Sequence, residues 1–143
     1  MNVAALLKSK GGSVSTAAPS ATLLEVTQKL SERKIGAIVI IGEQGSVDGI
    51  ISERDIVHVI SQRGMEALNT PVGDVMTKDL VSCDRSFTVD ELMSMMTRGR
   101  FRHVPVIEDG ALIGIVSIGD VVKNHIAEVE MEVSAMRGYL ATG

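Results

Sequence analysis

The chain contains an internal duplication, and this limits its fold more than any other feature of the sequence. Thr22 and Thr88 lie 66 residues apart, and each is followed three residues later by a glutamate, the pattern of a capping box at a helix start. Four positions at the i, i+3, i+4 and i+7 spacing of one helical face follow in each copy. They are Leu23, Val26, Thr27 and Leu30, and Val89, Leu92, Met93 and Met96. The sequence therefore predicts two copies of one unit, each built around an amphipathic helix.

Two runs rich in β-branched residues follow each of these helices and predict a pair of strands. The runs are residues 36–41 and 47–51 in the first copy, and 102–107 and 112–116 in the second. A Ser-x-x-Asp sequence then opens a second helix, so that with its lead segment each copy has the order βαββα. Because one copy is too small to bury its own sheet, we expect an α/β (α+β) fold whose repeats pack through their sheets with pseudo-two-fold symmetry.

These matches divide the chain into five segments. They are an N-terminal lead at residues 1–13, a first repeat at 14–66, a linker at 67–79, a second repeat at 80–127 and a helical extension at 128–143. A long helix is predicted over residues 121–140, with an apolar stripe that we expect to pack on the module itself or on a second copy of the chain. The stripe consists of Val122, Ile126, Val129, Val133 and Met136.

The charge, the apolar runs and the cysteine content of the chain argue against several classes of function. The net charge of -4 argues against bulk attraction to nucleic acid or to an anionic membrane. The longest apolar run, residues 37–41, is far shorter than the roughly 20 residues that span a bilayer. The single cysteine rules out an intrachain disulfide and suits a reducing compartment. We therefore expect a cytoplasmic protein with no membrane partner.

The two Ser-x-x-Asp sequences carry the strongest chemical signal. Ser52 and Asp55 in the first copy, and Ser117 and Asp120 in the second, each follow a glycine-led strand. Unpaired backbone N–H groups at a helix start favour an anion. There a serine hydroxyl can donate to a phosphate, and an aspartate can accept from both hydroxyls of a ribose. The same residues also form an ordinary helix cap, but their occurrence at matched positions favours a ligand.

Cationic side chains are distributed in a complementary way between the copies. Arg54 lies inside the first Ser-x-x-Asp sequence, whereas Arg102 and His103 belong to a predicted strand over residues 98–103. Each copy thus supplies cations at positions where the other has none, and we expect them to converge on shared phosphates. Binding of single-stranded nucleic acid by residues 98–103 is an alternative, which the acidic net charge and the 2% aromatic content disfavour.

An apolar slot for a flat base is predicted beside these groups. The lead segments supply small residues to it and the following strands supply aliphatic ones; the candidates are Thr16, Ala17, Ser82, Cys83, Ile38 and Val104. Ordinary core packing is the alternative for Ile38 and Val104. Cys83 has the same alternative, because free cysteines often fill small core spaces.

Together these residues resemble tandem cystathionine-β-synthase (CBS) domains, also called a Bateman module, over about residues 14–126. The chain is similar to small free-standing bacterial members with no attached effector domain. The motifs that carry the resemblance are residues 35–39, 49–55, 75–77, 102–106 and 114–120. The resemblance implies binding of AMP, ADP, ATP, NAD(H) or S-adenosylmethionine, with the Ser and Asp pairs as phosphate and ribose contacts. It also implies that Arg102 and His103 contact the phosphates, and that Pro105 in the same motif belongs to the nucleotide-binding site.

The function implied is that of a regulatory ligand sensor and not of an enzyme. The adenine nucleotide is then a signal rather than a catalytic cofactor, and the expected partners are a second copy of the chain and an unidentified effector protein. No catalytic or metal-ligand spacing occurs in the sequence. Gly36 and Ala37 bring no basic group where the other copy has Arg102 and His103, so the two sites are expected to differ. A scaffold with vestigial clefts and a single-stranded nucleic-acid binder remain the alternatives.

Overall fold

The protein is described by a computed structural model that covers residues 1–11 and 14–142. Gly12, Ser13 and Gly143, which belong to the predicted terminal segments, lie outside the described residues. The strands are β1 (Thr16–Ala17), β2 (Ala37–Ile41), β3 (Val47–Ser52), β4 (His103–Glu108) and β5 (Ala111–Ser117). The α-helices are α1 (Val3–Lys10), α2 (Leu23–Arg33), α3 (Glu53–Arg63), α4 (Val89–Gly99) and α5 (Ile118–Thr142). This order confirms the predicted repetition of helix, two strands and helix.

Matched caps begin and end the first helix of each repeat. The Thr22 side chain accepts a hydrogen bond from the backbone N–H of Glu25 at 3.1 Å, and Thr88 accepts one from Glu91 at 3.1 Å. Both helices end at a residue in the left-handed conformation, Lys34 with φ 55° and its counterpart Arg100 with φ 56°. The prediction of a strand over residues 98–103 is therefore wrong, because α4 continues to Gly99 and β4 begins only at His103.

Each repeat contains a short sheet whose two longer strands are antiparallel. Ile38 pairs with Ile51 in the first sheet, and Val104 pairs with Val116 in the second. The lead segment of the first repeat adds β1, parallel to β2. In the second repeat the lead makes only a bridge between Cys83 and Val106. The first strand of the predicted βαββα unit is thus two residues long in one copy and reduced to a bridge in the other.

Strands β2 and β4 are buried on both faces. Ile38 and Ile40 belong to the core of the first repeat, while Val39, which points to the opposite face, is also fully buried. In β4, Val104 and Val106 belong to the second core and Pro105 between them is buried too. Burial of both faces is the result expected when two repeats pack through their sheets.

The segments that flank the repeats also contribute to these cores. Val3 and Leu6 of α1 are buried in the core of the second repeat, not the first. Ala67 and Val72, in the predicted linker, are buried in the core of the first repeat. Two short 3₁₀ turns, Met65–Asn69 and Val72–Asp74, therefore pack part of the predicted linker against the first repeat.

Helix α5 continues well beyond the second repeat. Val121 near its start is buried, but the predicted apolar stripe is between 44% and 67% exposed at its five positions. The expectation that this stripe packs on the chain's own module is therefore wrong. Packing against a second copy of the chain stays a prediction.

Candidate functional site

A cleft of about 190 Å³ lies between the two repeats. The first repeat contributes the end of β3 and the first turn of α3, and the second contributes its lead segment and the residues that enter β4. The lining residues are Ile50, Ser52, Glu53, Arg54, Asp55, Thr77, Asp79, Leu80, Val81, Arg100, Phe101, Arg102, His103 and Pro105. The cleft thus brings together six of the predicted site residues, namely Ser52, Arg54, Asp55, Arg102, His103 and Pro105.

Ser52 and Asp55 form a complete capping box at the start of α3. The backbone N–H and the hydroxyl of Ser52 donate to Oδ2 of Asp55 at 2.9 and 3.0 Å, and the Asp55 N–H donates to the Ser52 hydroxyl at 3.3 Å. All the bonds that this carboxylate accepts in the box use Oδ2. The cap therefore leaves the second oxygen, Oδ1, to accept from a ligand that enters the cleft.

Charged groups of both signs line the cleft. Arg54 comes from the first repeat, and Arg100 and Arg102 come from the second. Glu53 and Asp79 add carboxylates to that of Asp55. Arginine is suited to bidentate contact with phosphate, and a carboxylate accepts hydrogen bonds from sugar hydroxyls, so the cleft offers partners for both parts of a sugar phosphate.

His103 lies at the place where the two repeats meet. A Cβ atom added to Gly36 would lie 3.1 Å from Nε2 of His103 and 3.5 Å from a carboxylate oxygen of Glu53. Burial lowers the pKa of His103 below 6.5, and the positive charge of Lys10 lowers that pKa further. The carboxylates of Glu53 and Asp120 raise it, but by less. The lowered pKa favours the neutral form of the ring near pH 7.

The end of the predicted linker is fixed against β3 by backbone hydrogen bonds. Ile50 and Thr77 exchange two N–H···O hydrogen bonds at 3.0 and 2.9 Å. This approach requires Gly49, because a Cβ there would lie 2.6 Å from Sδ of Met76 and 2.8 Å from the Thr77 carbonyl oxygen. As a result Leu80 and Val81, which follow Thr77, lie in the wall of the cleft.

The six residues predicted to form the base slot lie outside this cleft. Thr16 and Ala17 line a separate shallow pocket beside α2, together with Glu25 and Lys29. Ile38 and Val104 are 0% exposed within the two cores, and Cys83 is also a core residue. Burial, with the nearby charge of Asp84, raises the pKa of the Cys83 thiol to about 12, so that it stays protonated. Ser82 is exposed beside Val81 and is not among the lining residues.

Ser117 and Asp120 repeat the capping box at the start of α5. The Ser117 N–H and hydroxyl donate to Oδ2 of Asp120 at 2.8 and 2.9 Å, and the Asp120 N–H donates to the Ser117 hydroxyl at 3.2 Å. Here the same oxygen also accepts from Nζ of Lys10 at 2.7 Å. Burial raises the pKa of Asp120, but the hydrogen bonds from Lys10 and Ser117 outweigh it and leave that pKa below 3.8.

Several lining residues are absent from the sequence-based set. Leu80, Val81 and Phe101 form apolar wall, and Thr77 and Asp79 precede that wall in a segment predicted as linker. Their signal in the sequence is weak, because an exposed apolar pair before a strand is not specific to a binding site. Lys10 had no signal at all, since its contact with Asp120 spans 110 residues of chain.

The described part of the chain, residues 1–11 and 14–142, also bears on metal binding and on the membrane. Within it, no cluster of three or more His, Cys, Asp or Glu side chains is arranged to hold a metal ion. None of the helices described there has the length and apolarity needed to cross a membrane.

Each of the two repeats matches the same known protein family. The family model described as CBS domain matches twice, over residues 12–62 and 72–126. Among curated proteins, the mitochondrial CBS domain-containing protein CBSX3 of Arabidopsis thaliana is 36% identical in an alignment of 146 positions that covers 96% of this chain and 71% of that protein. YhcV of Bacillus subtilis is 30% identical and is covered to 80%, as is this chain.

Solved structures agree with these matches. The CBS-domain protein ATU1752 of Agrobacterium tumefaciens is 47% identical, with a TM-score of 0.83 over 85% of this chain and 91% of that one. The CBS domain pair of protein MJ0100, solved in complex with 5′-methylthioadenosine and S-adenosyl-L-methionine, shares the fold at 22% identity and a TM-score of 0.80, over 90% of this chain and 98% of that one. With two matched repeats and a cleft between them, the chain belongs to the CBS domain family and is a CBS-pair regulatory module.

Proposed function

We propose that the chain senses an adenine nucleotide, such as AMP, ADP, ATP or NAD(H), by binding it in the cleft between the repeats. One observation carries this proposal. The hydroxyl of Ser52 and the carboxylate of Asp55, from the first repeat, line the same cleft as Arg102 and His103, from the second. A sugar phosphate needs both kinds of partner within one site.

Each part of the nucleotide has a partner of suitable chemistry. The Asp55 Oδ1 accepts from the ribose hydroxyls while Oδ2 stays in the helix cap. Phosphates approach the N-terminal turn of α3 and the guanidinium groups of Arg54 and Arg102, where the helix dipole also favours an anion. The base packs against the apolar wall of the cleft, which includes Val81 and Phe101.

The position of the cleft suggests how binding is transmitted. Because residues of both repeats line it, a ligand that contacts both has a different affinity for each relative orientation of the repeats. Binding then shifts the population towards the orientation that it favours. In this proposal an effector protein responds to that orientation, and the chain acts as a cytoplasmic homodimer.

The proposal is for a non-catalytic role. The Ser52 hydroxyl donates its hydrogen to Asp55 in a helix cap, whereas a nucleophilic serine is activated by a base such as histidine. Supporting the ligand class, the CBS pair of MJ0100 was solved with two adenosyl compounds. A nucleotide bound here is accordingly a signal and not a cofactor.

A scaffold with vestigial clefts is the second candidate, and one observation favours it. Both Ser-x-x-Asp sequences are self-contained capping boxes, so helix stability alone accounts for these residues. The two candidates differ in whether any nucleotide stabilises the protein.

Thermal denaturation in the presence of nucleotides separates them. The panel is AMP, ADP, ATP, NAD, NADH and S-adenosylmethionine, with GMP as the control for the base. A ligand at about 100 times its Kd stabilises by about 2.7 kcal/mol, which raises Tm by several degrees for a domain of this size. We expect such a shift from at least one adenine compound and none from GMP. No shift from any adenine compound overturns the sensor, and a salt-sensitive gel shift with single-stranded RNA would indicate the nucleic-acid alternative.

A further inference from the structure

We propose that Lys10 occupies the second cleft, the site around Ser117 and Asp120, and so limits the chain to one nucleotide. This inference rests on the proposed function, because it concerns the pseudo-symmetric counterpart of the same site. It goes further in assigning different states to the two copies: the first open to a ligand, the second closed by a side chain of the protein itself.

The internal symmetry shows where the second cleft must lie. Ile50 and Asp55 line the first cleft, and their counterparts 65 residues later are Ile115 and Asp120. The ammonium group of Lys10 donates to the Ile115 carbonyl oxygen at 2.7 Å and to Oδ2 of Asp120 at 2.7 Å. It therefore bridges two positions whose counterparts border the open cleft, and it places a positive charge directly against the carboxylate that corresponds to Asp55.

Helix α1 holds Lys10 in this place. Val3 and Leu6 are buried in the second core, and the Val3 N–H donates to the Phe87 carbonyl at 2.8 Å. Leu7 lies against β5, where a Cβ on Gly114 would come within 2.5 Å of its side chain. The contact of Gly114 with Leu7 matches that of Gly49 with Met76 in the first repeat. Lys10 thus extends from a docked helix and not from a free end.

The charge of Lys10 suits this role. Its ammonium donates hydrogen bonds, as ribose hydroxyls do, and it also neutralises Asp120. The side chains are 34% and 23% exposed, so the pair is partly shielded from water and is screened less than a surface pair. The second site also has Gly119 at the counterpart of Arg54, and Gly36 and Ala37 at those of Arg102 and His103. It therefore has fewer groups with which to attract a phosphate that would displace Lys10.

Calorimetric titration of the wild type and of Lys10→Ala tests the inference. AMP, ATP, NAD and S-adenosylmethionine are each titrated, and the sites per chain are counted. We expect one site in the wild type. In Lys10→Ala we expect a second site to become measurable. Its affinity for the nucleotide should be roughly ten-fold or more above that of the same site in the wild type, because a charged hydrogen-bond competitor has been removed.

Two further variants serve as controls. Lys8→Ala removes a charge from the same last turn of α1 at an exposed position and should leave one site. Lys10→Ser also removes the charge and the length of the side chain, and it serves if Lys10→Ala does not fold. Circular dichroism confirms that each variant keeps its helices.

Every outcome is decisive. Two sites in the wild type, or one site in the Lys10 variants, overturn the inference while leaving the proposed function intact. No binding to wild type or variants overturns the proposed function itself. Binding only after Lys10 is replaced supports occupation of the second cleft by Lys10 and refutes the first cleft as the nucleotide site.

Discussion

Gly36 of the first repeat lies so close to His103 of the second that a Cβ atom on Gly36 would lie 3.1 Å from Nε2 of the imidazole. In the internal repeat Gly36 corresponds to Arg102, and the next residue, Ala37, corresponds to His103. Glycine in one copy leaves room for the ring that the other copy contributes. The asymmetry between the repeats therefore helps to form the lining of one cleft.

His103 provides a prediction about protonation. Its pKa lies below 6.5, chiefly through burial and then through the charge of Lys10. An NMR titration of the imidazole should show this, and the pKa should rise when AMP brings a phosphate to the cleft and when Lys10 is replaced by alanine. His103→Gln identifies the signal among the three histidines. A pKa that stays at 6.5 or above in the free protein would contradict the structure.

The same shift has a consequence for stability. A histidine whose pKa is lowered by folding binds fewer protons in the folded state than in the unfolded state between its folded-state pKa and 6.5. Stability therefore rises with pH through this window. The contribution of His103 is present above about pH 6.5 and is lost as the pH falls through the folded-state pKa. Urea denaturation at pH 5 and pH 7.5 should show a smaller difference in His103→Gln than in the wild type, and an equal difference would refute this role.

Ile38 tests the distinction between core and site. It is fully buried in the first core, so Ile38→Val should lower the free energy of unfolding by about 0.5–1.5 kcal/mol. Because Ile38 does not line the cleft, the Kd of a bound nucleotide should stay the same. A clear change in Kd with no loss of stability would restore the sequence-based placement of Ile38 beside the base.

Arg102 tests the contact with phosphate. If its guanidinium binds the phosphate, Arg102→Gln should weaken AMP binding roughly 10- to 100-fold, the range for hydrogen bonds to charged groups. Binding of adenosine, which has no phosphate, should change little. Equal losses for AMP and adenosine would show that the arginine acts through the shape of the cleft instead.

The features predictable from the sequence are those in which a local pattern has a local cause. The helix starts at Thr22 and Thr88, the strand pairs and the capping function of Ser52 and Asp55 all follow from short-range spacing. Ile38 and Val104 were the uncertain cases, because an aliphatic residue in a strand fits a base slot and a core equally well. Only the packing of both faces of β2 and β4 assigns them to the core.

The features that sequence reasoning missed depend on contacts between distant segments. The left-handed ends at Lys34 and Arg100 carry no glycine, so nothing marked Gly99 as the end of α4. The wall formed by Leu80 and Val81 depends on the backbone pairing of Ile50 with Thr77. The contact between Lys10 and Asp120 depends on where α1 docks, and no short-range spacing in the sequence indicates that position.

Calorimetric titration of Asp55→Ala tests the central claim most directly. The variant loses both the ribose acceptor and part of a helix cap, and Thr22→Ala loses a comparable cap outside the cleft, at a cost of about 1 kcal/mol in stability. For a nucleotide that binds the wild type, such as AMP, the account predicts binding at least ten-fold weaker in Asp55→Ala and unchanged in Thr22→Ala. Equal affinity in the wild type and Asp55→Ala would contradict the proposal that this cleft holds the nucleotide.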